Sequence, residues 1–536
     1  MAHDIVFADA LVVDGTGTPG RRASVGVRDG RIAEIDTGAL SGNQVVDAAG
    51  LVLTPGFIDM HSHSDLRVLV EPDHLAKVSQ GVTLEVLGQD GLSYAPVDDD
   101  VLALLRAQLA GWNDDPPGFA WDWRTVGEYL DRLDRGIAVN AAYLVPQGTV
   151  RMRHVGWDAR PPTADELDRM RADVADGMAQ GAVGMSSGLT YPPGMYADTS
   201  ELVELCRVVA AYGGYYSPHH RSYGAGALGA YAEMVDVSRQ SGVPLHLAHA
   251  TMNFPVNAGR ADEMLALLDK AIDSGCDITL DTYPYLPGAT YLSALLPSWA
   301  AEGGPSATMA RLSDVDTRER IRVAMEEIGS DGCYGVPVDW HWIEISGVRQ
   351  PHNEHLVGQR VADSAARLGV TPIDLYLDTL LDENLGTSCL FHVGHEDNVR
   401  AIMRHRAHTG GSDGLLVGGR PHPRGWGTFP RYLGRYVREL GVLGLAECVE
   451  HLTSRAARRL GLADRGVVRE GAIADLVLFD PDTIADAATF EQPRQAATGI
   501  HTVLVNGVPV LEDYRPTGAL PGHSIRSAHS SRREST

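Results

Sequence analysis

Two histidines stand two residues apart at the end of an apolar run, in Gly56-Phe57-Ile58-Asp59-Met60-His61-Ser62-His63. Alternate side chains of a strand share a face, so His61 and His63 point the same way. Two imidazoles converging on one point can chelate a divalent metal. The chain has 21 histidines, so a chance pair is the competing explanation; the position at the very end of an apolar run counts against it. Four later segments place polar residues behind short apolar runs. They are Gly88-Gln89-Asp90-Gly91, Tyr216-Ser217-Pro218-His219-His220-Arg221, Leu245-His246-Leu247-Ala248-His249 and Gly410-Gly411-Ser412-Asp413-Gly414. Each alone is a common turn or a lone histidine. Their recurrence at successive run ends points to one shared site.

The elements that must carry these residues alternate. Strand-like segments near 51–59, 84–87, 139–145, 182–185, 215–217, 245–248, 278–280 and 409–412 are separated by helical segments such as 164–180, 199–212, 261–274 and 397–405. Alternating strands and helices imply a parallel sheet, and eight strands fit a closed (β/α)8 TIM-type barrel whose strand C-termini form the mouth. An open doubly wound sheet is the alternative, but no GxGxxG turn follows a strand. A long insertion, about 284–360, follows the seventh strand and is expected to act as a lid. Short β-runs at 5–7, 11–13, 24–27 and 32–35, and again at 473–479, 501–505 and 508–511, are too few at either end to form a stable sheet. They are expected to pair into one small β-sandwich domain built from both chain ends. The expected organisation is 1–53 for the N-terminal part of that domain and 54–440 for the barrel. Residues 441–512 supply a helix and the rest of the β-domain, and 513–536 an arm or flexible tail.

Composition narrows the partners. The 536 residues carry 70 acidic and 45 basic side chains, a net charge of −25. Such a chain lacks the basic patches that bind nucleic acid or an anionic membrane, and no apolar run is long enough to span a bilayer. The start, MAHDIVFADALVVDG, has no basic region ahead of an apolar stretch, and the 5 cysteines are scattered without a CxxC pair. A reducing, cytoplasmic setting is the expectation. Only two of the basic residues are lysines, Lys77 and Lys270.

Longer motifs resemble one family. PGFIDMHSH, QGVT at 80–83, GLSYAP at 91–96, GAVGMSSGLTYPPG at 181–194, DTYPYLPGAT at 281–290 and HPRGWGTFPRYLGRYVRE at 422–439 are similar to the amidohydrolase superfamily. More narrowly, with TSRAARRLGLADRGVVREGAIADLVLFDP and VLVNGVPV near the end, they resemble its N-acyl-D-amino-acid deacylases (D-aminoacylases). The resemblance implies metal binding by His219 and His249, flanked by His61 and His63. It implies one or two divalent ions, zinc first, with manganese or cobalt as alternatives. The family carries a cysteine ligand after the second strand, where this chain has Asp90. Wider relatives bridge two metals with a carbamylated lysine, but Lys77 and Lys270 both fall in helical segments, which leaves Asp90 as the bridging candidate.

The resemblance also implies hydrolysis of an amide by metal-activated water, with Asp413 as general acid and base. The substrate would be a small molecule with an amide and a carboxylate. Arg424 is the first candidate for that carboxylate because guanidinium matches it bidentately; Tyr283 and Arg221 are further candidates. Three positions near the expected mouth depart from the family: Asp90, Pro146-Gln147 after the third strand, and Ala250-Thr251 where a lysine usually follows the sixth-strand histidine. Cyclic-amide hydrolysis and deamination are the alternatives on the same scaffold. No HxE follows 215–217, which weighs against deamination. A scaffold without activity would have lost ligands, whereas the expected histidines and Asp413 are all present.

Overall fold

The computed structural model describes residues 2–527. The chain opens with β1 (His3–Val12), β2 (Arg21–Arg28), β3 (Arg31–Asp36), β4 (Gly42–Asp47) and β5 (Val52–Pro55). The runs expected at 5–7 and 11–13 are one strand: β1 shifts register between Phe7 and Ala10, where Asp9 takes a left-handed φ of 57°. This is a bulge. The first half of β1 pairs with β4 and the second half with β5, both in parallel.

The barrel strands follow: β6 (Phe57–Asp59), β7 (Val82–Leu87), β8 (Asn140–Pro146), β9 (Gly184–Gly188), β10 (Tyr215–His219), β11 (Leu245–Leu247) and β12 (Ile278–Thr282). The eighth, β16 (His408–Gly410), comes after three strands of the insertion, β13 (Gly288–Tyr291), β14 (Ile343–Gly347) and β15 (Ser388–Phe391). β6 to β12 and β16 pair in sequence as one parallel sheet. β6 and β16 meet at the top, where Met60 N–H donates to Gly410 O at 3.2 Å and Asp413 N–H to His61 O at 2.8 Å. These bonds nearly close the barrel. β7, β8 and β9 are buried along their whole length, as a sheet covered by helices on its outer face requires. Helix Ala164–Ala179 shows how the covering helices are set: Thr163 and Glu166 form a capping box at its start.

Four details differ from the sequence reading. The segment 51–59 is split, because β5 leaves for the terminal sheet before β6 enters the barrel. The insertion runs past 360: β15, the central strand of its antiparallel sheet in the order β13-β15-β14, ends at Phe391. Its own core includes Leu292, Leu295, Ile343, Tyr376 and Leu380, so it packs as a unit above the mouth. The terminal β-structure is a single nine-stranded sheet in which β17 (Leu476–Phe479) pairs with β5, followed outward by β18 (Ile500–Val505), β19 (Val508–Glu512) and β20 (Arg515–Pro516). The segment expected as an arm or tail is anchored in part. β21 (Ser524–Ile525) lies parallel to β8 at Ala141 and Ala142, and Ser524 N–H donates to Asp134 at 2.6 Å. Residues 528–536 of that segment lie outside the described residues.

Candidate metal centre

His61 and His63 follow β6, and their Nε2 atoms come within 3.3 Å of each other. Asp90 follows β7 and sits between this pair and a second one. Its Oδ1 is 3.5 Å from His61 Nε2 and 3.5 Å from His249 Nε2. Its Oδ2 is 3.6 Å from His63 Nε2 and 3.3 Å from His219 Nδ1. His219 and His249, from the ends of β10 and the turn after β11, approach to 3.0 Å. Two donor sets result, His61, His63, Asp90 and Asp413, and Asp90, His219 and His249, each with ligand atoms within 4.8 Å of one another. Asp90 belongs to both.

The backbone is bent to make this arrangement. Asp90, His249 and Asp413 have φ of 53°, 31° and 48°, a left-handed conformation that costs energy for side chains other than glycine and collects at functional sites. Gly88 and Gly91 flank Asp90 with positive φ, and a Cβ on Gly91 would lie 2.6 Å from Gly188 N. Only glycine lets the Asp90 turn press onto the start of the β9 loop.

Asp90 Oδ1 is buried without a hydrogen-bond partner, although buried polar atoms are nearly always satisfied. An orphaned carboxylate oxygen among imidazole nitrogens is what a cation would complete. Nitrogen and carboxylate donors suit zinc, and manganese or cobalt as well.

A surrounding layer fixes the rings. Thr190 Oγ1 lies 2.7 Å from His219 Nε2, and Tyr223 OH 3.0 Å from His249 Nδ1. Asp281 at the end of β12 accepts from His249 N–H at 2.9 Å and lies 3.0 Å from His246 Nε2. Such partners set the tautomer and orientation of ligating histidines. Beneath the rings, Asp59 accepts from Ser412 N–H (2.8 Å), Ser412 Oγ (2.6 Å) and Lys77 Nζ (2.6 Å). Lys77 stands on the short helix Leu75–Val78, as its sequence context implied, yet it is fully buried. Its ammonium is committed to Asp59 and Ser412, the latter at 2.9 Å, and lies 3.8 Å from Glu85. It ties the first strand to the eighth and belongs to neither donor set. Of this layer the sequence reading weighed Lys77 alone, and set it aside as a metal bridge. Asp281 opens DTYPYLPGAT, and its acidic side chain directly behind a strand was the available signal.

The charged groups of the site act on one another. Burial opposes ionisation of Asp90, but His219, His249 and His61 outweigh it and hold the carboxyl well below its ordinary range. Burial lowers His219 to about 4. Burial also acts on His63, yet hydrogen bonds and charge from Asp413 and Asp90 win and raise it to about 9. For Asp413, burial is outweighed by Arg424, then His249 and His63, and its carboxyl too is held well below the usual range. Asp413 Oδ1 is 3.1 Å from His63 Nε2, and its Oδ2 is 2.8 Å from Arg424 Nη1.

Arg424 is wholly buried and stacks over the Tyr283 ring at 4.5 Å. Burial pushes the Tyr283 hydroxyl up to about 12, so it remains a neutral donor. Both stand beside a pocket lined by Tyr283, Asp413, Asp90, His63, His219 and His249, among others. Arg221 is not brought to it. Its Nε pairs with Glu233 at 2.9 Å and its Nη1 donates to Met195 O at 3.1 Å, so the guanidinium is spent on holding loops together. The sequence could not reveal this, because Glu233 sits on the helix that follows.

Comparison with known proteins agrees with the geometry. The amidohydrolase family model matches residues 44–511. The D-aminoacylase of Alcaligenes xylosoxydans xylosoxydans is 36% identical over 530 residues, covering 97% of this chain and 97% of the relative. A solved N-acyl-D-glutamate deacylase from Bordetella bronchiseptica, complexed with zinc and a phosphonate mimic of the tetrahedral intermediate, superposes with a TM-score of 0.84. It is 34% identical and covers 98% of this chain and 100% of that one. A D-aminoacylase structure described for its binuclear metal centre gives 0.81 at 35% identity, with 98% and 100% coverage. The chain belongs to the amidohydrolase family, within its D-aminoacylase group.

Proposed function

We propose that this protein is a metal-dependent hydrolase that cleaves the amide bond of N-acyl-D-amino acids. The observation that carries the reading is Asp90, whose two oxygens each face one histidine of both pairs, with Asp413 3.1 Å from His63 at the pocket side. His61, His63, Asp90, His219 and His249 would hold one or two divalent ions, zinc first. Such an ion lowers the pKa of water and polarises a carbonyl.

The chain's own residues do the rest. Arg424 offers a planar guanidinium for the substrate's α-carboxylate. Its position beside Asp413 couples binding to proton transfer. In the free protein Arg424 keeps Asp413 ionised, ready to accept a proton at a carboxylate oxygen. When a substrate carboxylate shares the guanidinium, its pull on Asp413 weakens and Asp413 becomes a better base. The same proton can then pass to the departing amine nitrogen. Tyr283 supplies a neutral hydroxyl for the substrate's developing negative charge. The five cysteines form no disulfide, which fits a cytoplasmic setting, and no helix among the described residues is long and apolar enough to cross a membrane.

The test is a hydrolysis screen over N-acetyl-D-amino acids, their L-enantiomers and cyclic amides, with zinc, manganese and cobalt supplied separately. Turnover of D-substrates above their enantiomers is expected. Turnover of cyclic amides alone would replace this reading by the cyclic-amide one.

A further inference from the structure

The segment just before β7 has no part in the chemistry above. Its Gln80 opens the QGVT run and is wholly buried, as is Lys77 one turn earlier. Gln80 N–H donates to Lys77 O at 3.0 Å, so the helical turn continues to it, and residues three apart on such a turn share a face. Lys77 Nζ holds Asp59 and Ser412. Asp59 also accepts from His61 N–H at 3.2 Å, and Ser412 directly precedes Asp413. Gln80 reaches a different element. Its Nε2 donates to Gly425 O at 2.9 Å and to Ala76 O at 2.7 Å, and its Oε1 accepts from Phe429 N–H at 3.3 Å.

Gly425 and Phe429 belong to helix Arg424–Arg431, whose first residue carries the guanidinium assigned above to the substrate. In a regular α-helix the carbonyl of Gly425 and the N–H of Phe429 pair with each other. The Gln80 amide grips both and so spans one turn. The helix needs an outside hold: it contains Gly425, Gly427 and Pro430, and glycine and proline are the weakest helix formers. The Arg424 side chain anchors itself poorly. Apart from Asp413 and the Tyr283 ring, it has one long bond, from Nη2 to Ala289 O at 3.4 Å, and its Nε is buried with no hydrogen-bond partner among the described residues. The Asp413 turn and the helix meet next to Lys77. A Cβ on Gly414 would lie 3.2 Å from Gly425 Cα and 3.3 Å from Lys77 Nζ.

We propose that Gln80 is a positioning residue of the reaction. It holds the first turn of helix Arg424–Arg431 so that Arg424 meets both the substrate carboxylate and Asp413, while Lys77 fixes the Asp413 turn against the same segment. The inference rests on the hydrolase reading above. Gln80 lines no part of the pocket and belongs to neither donor set, so its effect passes through Arg424. Without its amide, Gly425 O and Phe429 N–H can pair with each other and leave no buried orphan, but the tie between the helix and the Lys77 segment is gone. A displacement of about 1 Å in a binding group can cost about 100-fold.

The experiment compares the unaltered chain, Gln80→Met, Arg424→Met and the double variant, all metal-loaded, on N-acetyl-D-leucine, with metal content measured in each. Gln80→Met should hold metal as the unaltered chain does and raise KM by about 10-fold or more, with a smaller loss in kcat. In the Arg424→Met background the same substitution should change kcat/KM by no more than about 2-fold, because the group it positions is already gone. A residue that only supported the fold would lower kcat/KM by the same factor in both backgrounds. That result, or an unchanged KM in Gln80→Met, would overturn the inference and leave the hydrolase reading intact. Absence of turnover of N-acetyl-D-amino acids by the unaltered, metal-loaded protein would overturn both. If methionine prevents folding, Gln80→Asn, whose amide stops one methylene short of the helix, carries the same expectations.

Discussion

Replacing Arg424 by methionine should raise the pKa of Asp413 and cut activity from the acid side. Arg424 Nη1 and Asp413 Oδ2 are 2.8 Å apart, with Arg424 wholly buried and Asp413 nearly so. Two unit charges at that distance attract by about 6 kcal/mol at an effective dielectric of about 20. Not all of that appears as a shift, because His249 and His63 also favour the ionised carboxyl and remain in the variant. A rise of about 1–3 pH units is the expected size. The sign follows from charge: losing a cation favours the protonated acid, which cannot accept a proton from water. The assay is the pH profile of kcat/KM, which reports the free protein, with metal content measured at each pH to separate metal loss from titration. The acid limb of Arg424→Met should lie above that of the unaltered protein, and KM should rise. Arg424→Lys, which keeps the charge but not the planar fork, should restore the profile while KM stays high. Superimposable profiles for the methionine variant and the unaltered protein would refute the coupling.

Asp413→Asn should keep metal and fold but lose about 100- to 10,000-fold in kcat, the usual contribution of a general acid–base; unchanged kcat would remove Asp413 from that role. Asp90→Ala strips the residue shared by both donor sets, so metal content by elemental analysis should fall more than in His63→Ala. Glu85 bears on stability against pH. Burial opposes its ionisation, but His74 and Lys77 outweigh that and lower it to about 2. A depressed carboxyl stabilises the fold above its unfolded pKa and loses that contribution as pH falls through its folded value. Urea unfolding should therefore weaken between about pH 4.5 and 2 by up to about 3 kcal/mol from this group, and Glu85→Gln should flatten that slope. An identical slope in the variant would show that the buried network does not hold the charge described.

The barrel was legible because each of its eight strands is a short buried run followed by a polar turn, and parallel strands covered by helices leave that pattern in sequence. His61 and His63 were legible for a related reason: a two-residue spacing on a strand fixes a shared face. Asp90 and Asp413 needed the family motifs, since an aspartate in a glycine turn is common. What escaped was tertiary. Lys77 lies on a four-residue helix whose inward side becomes visible only when Ser412, 335 positions away, closes over it. The partition of residues 51–59 between two sheets turns on Gly56, where a Cβ would fall 2.1 Å from Thr83 Oγ1 and the chain passes between the sheets. The insertion's reach to Phe391 was hidden because β15 is an ordinary four-residue apolar strand whose partners lie far back in sequence. Arg221 looked available because its neighbour His219 is in the site, whereas its guanidinium turns away to Glu233.

In the proposed enzyme Asp90 joins two histidine pairs into one metal-dependent hydrolytic centre. Zinc titrated into chelator-treated protein, with bound metal and the rate of N-acetyl-D-leucine hydrolysis followed together, tests it directly. The stripped protein should be inactive and activity should return in step with bound metal, while Asp90→Ala regains neither at the same zinc concentration. Hydrolysis that persists in fully stripped protein, or an Asp90→Ala variant that binds zinc and turns over like the unaltered chain, would contradict it.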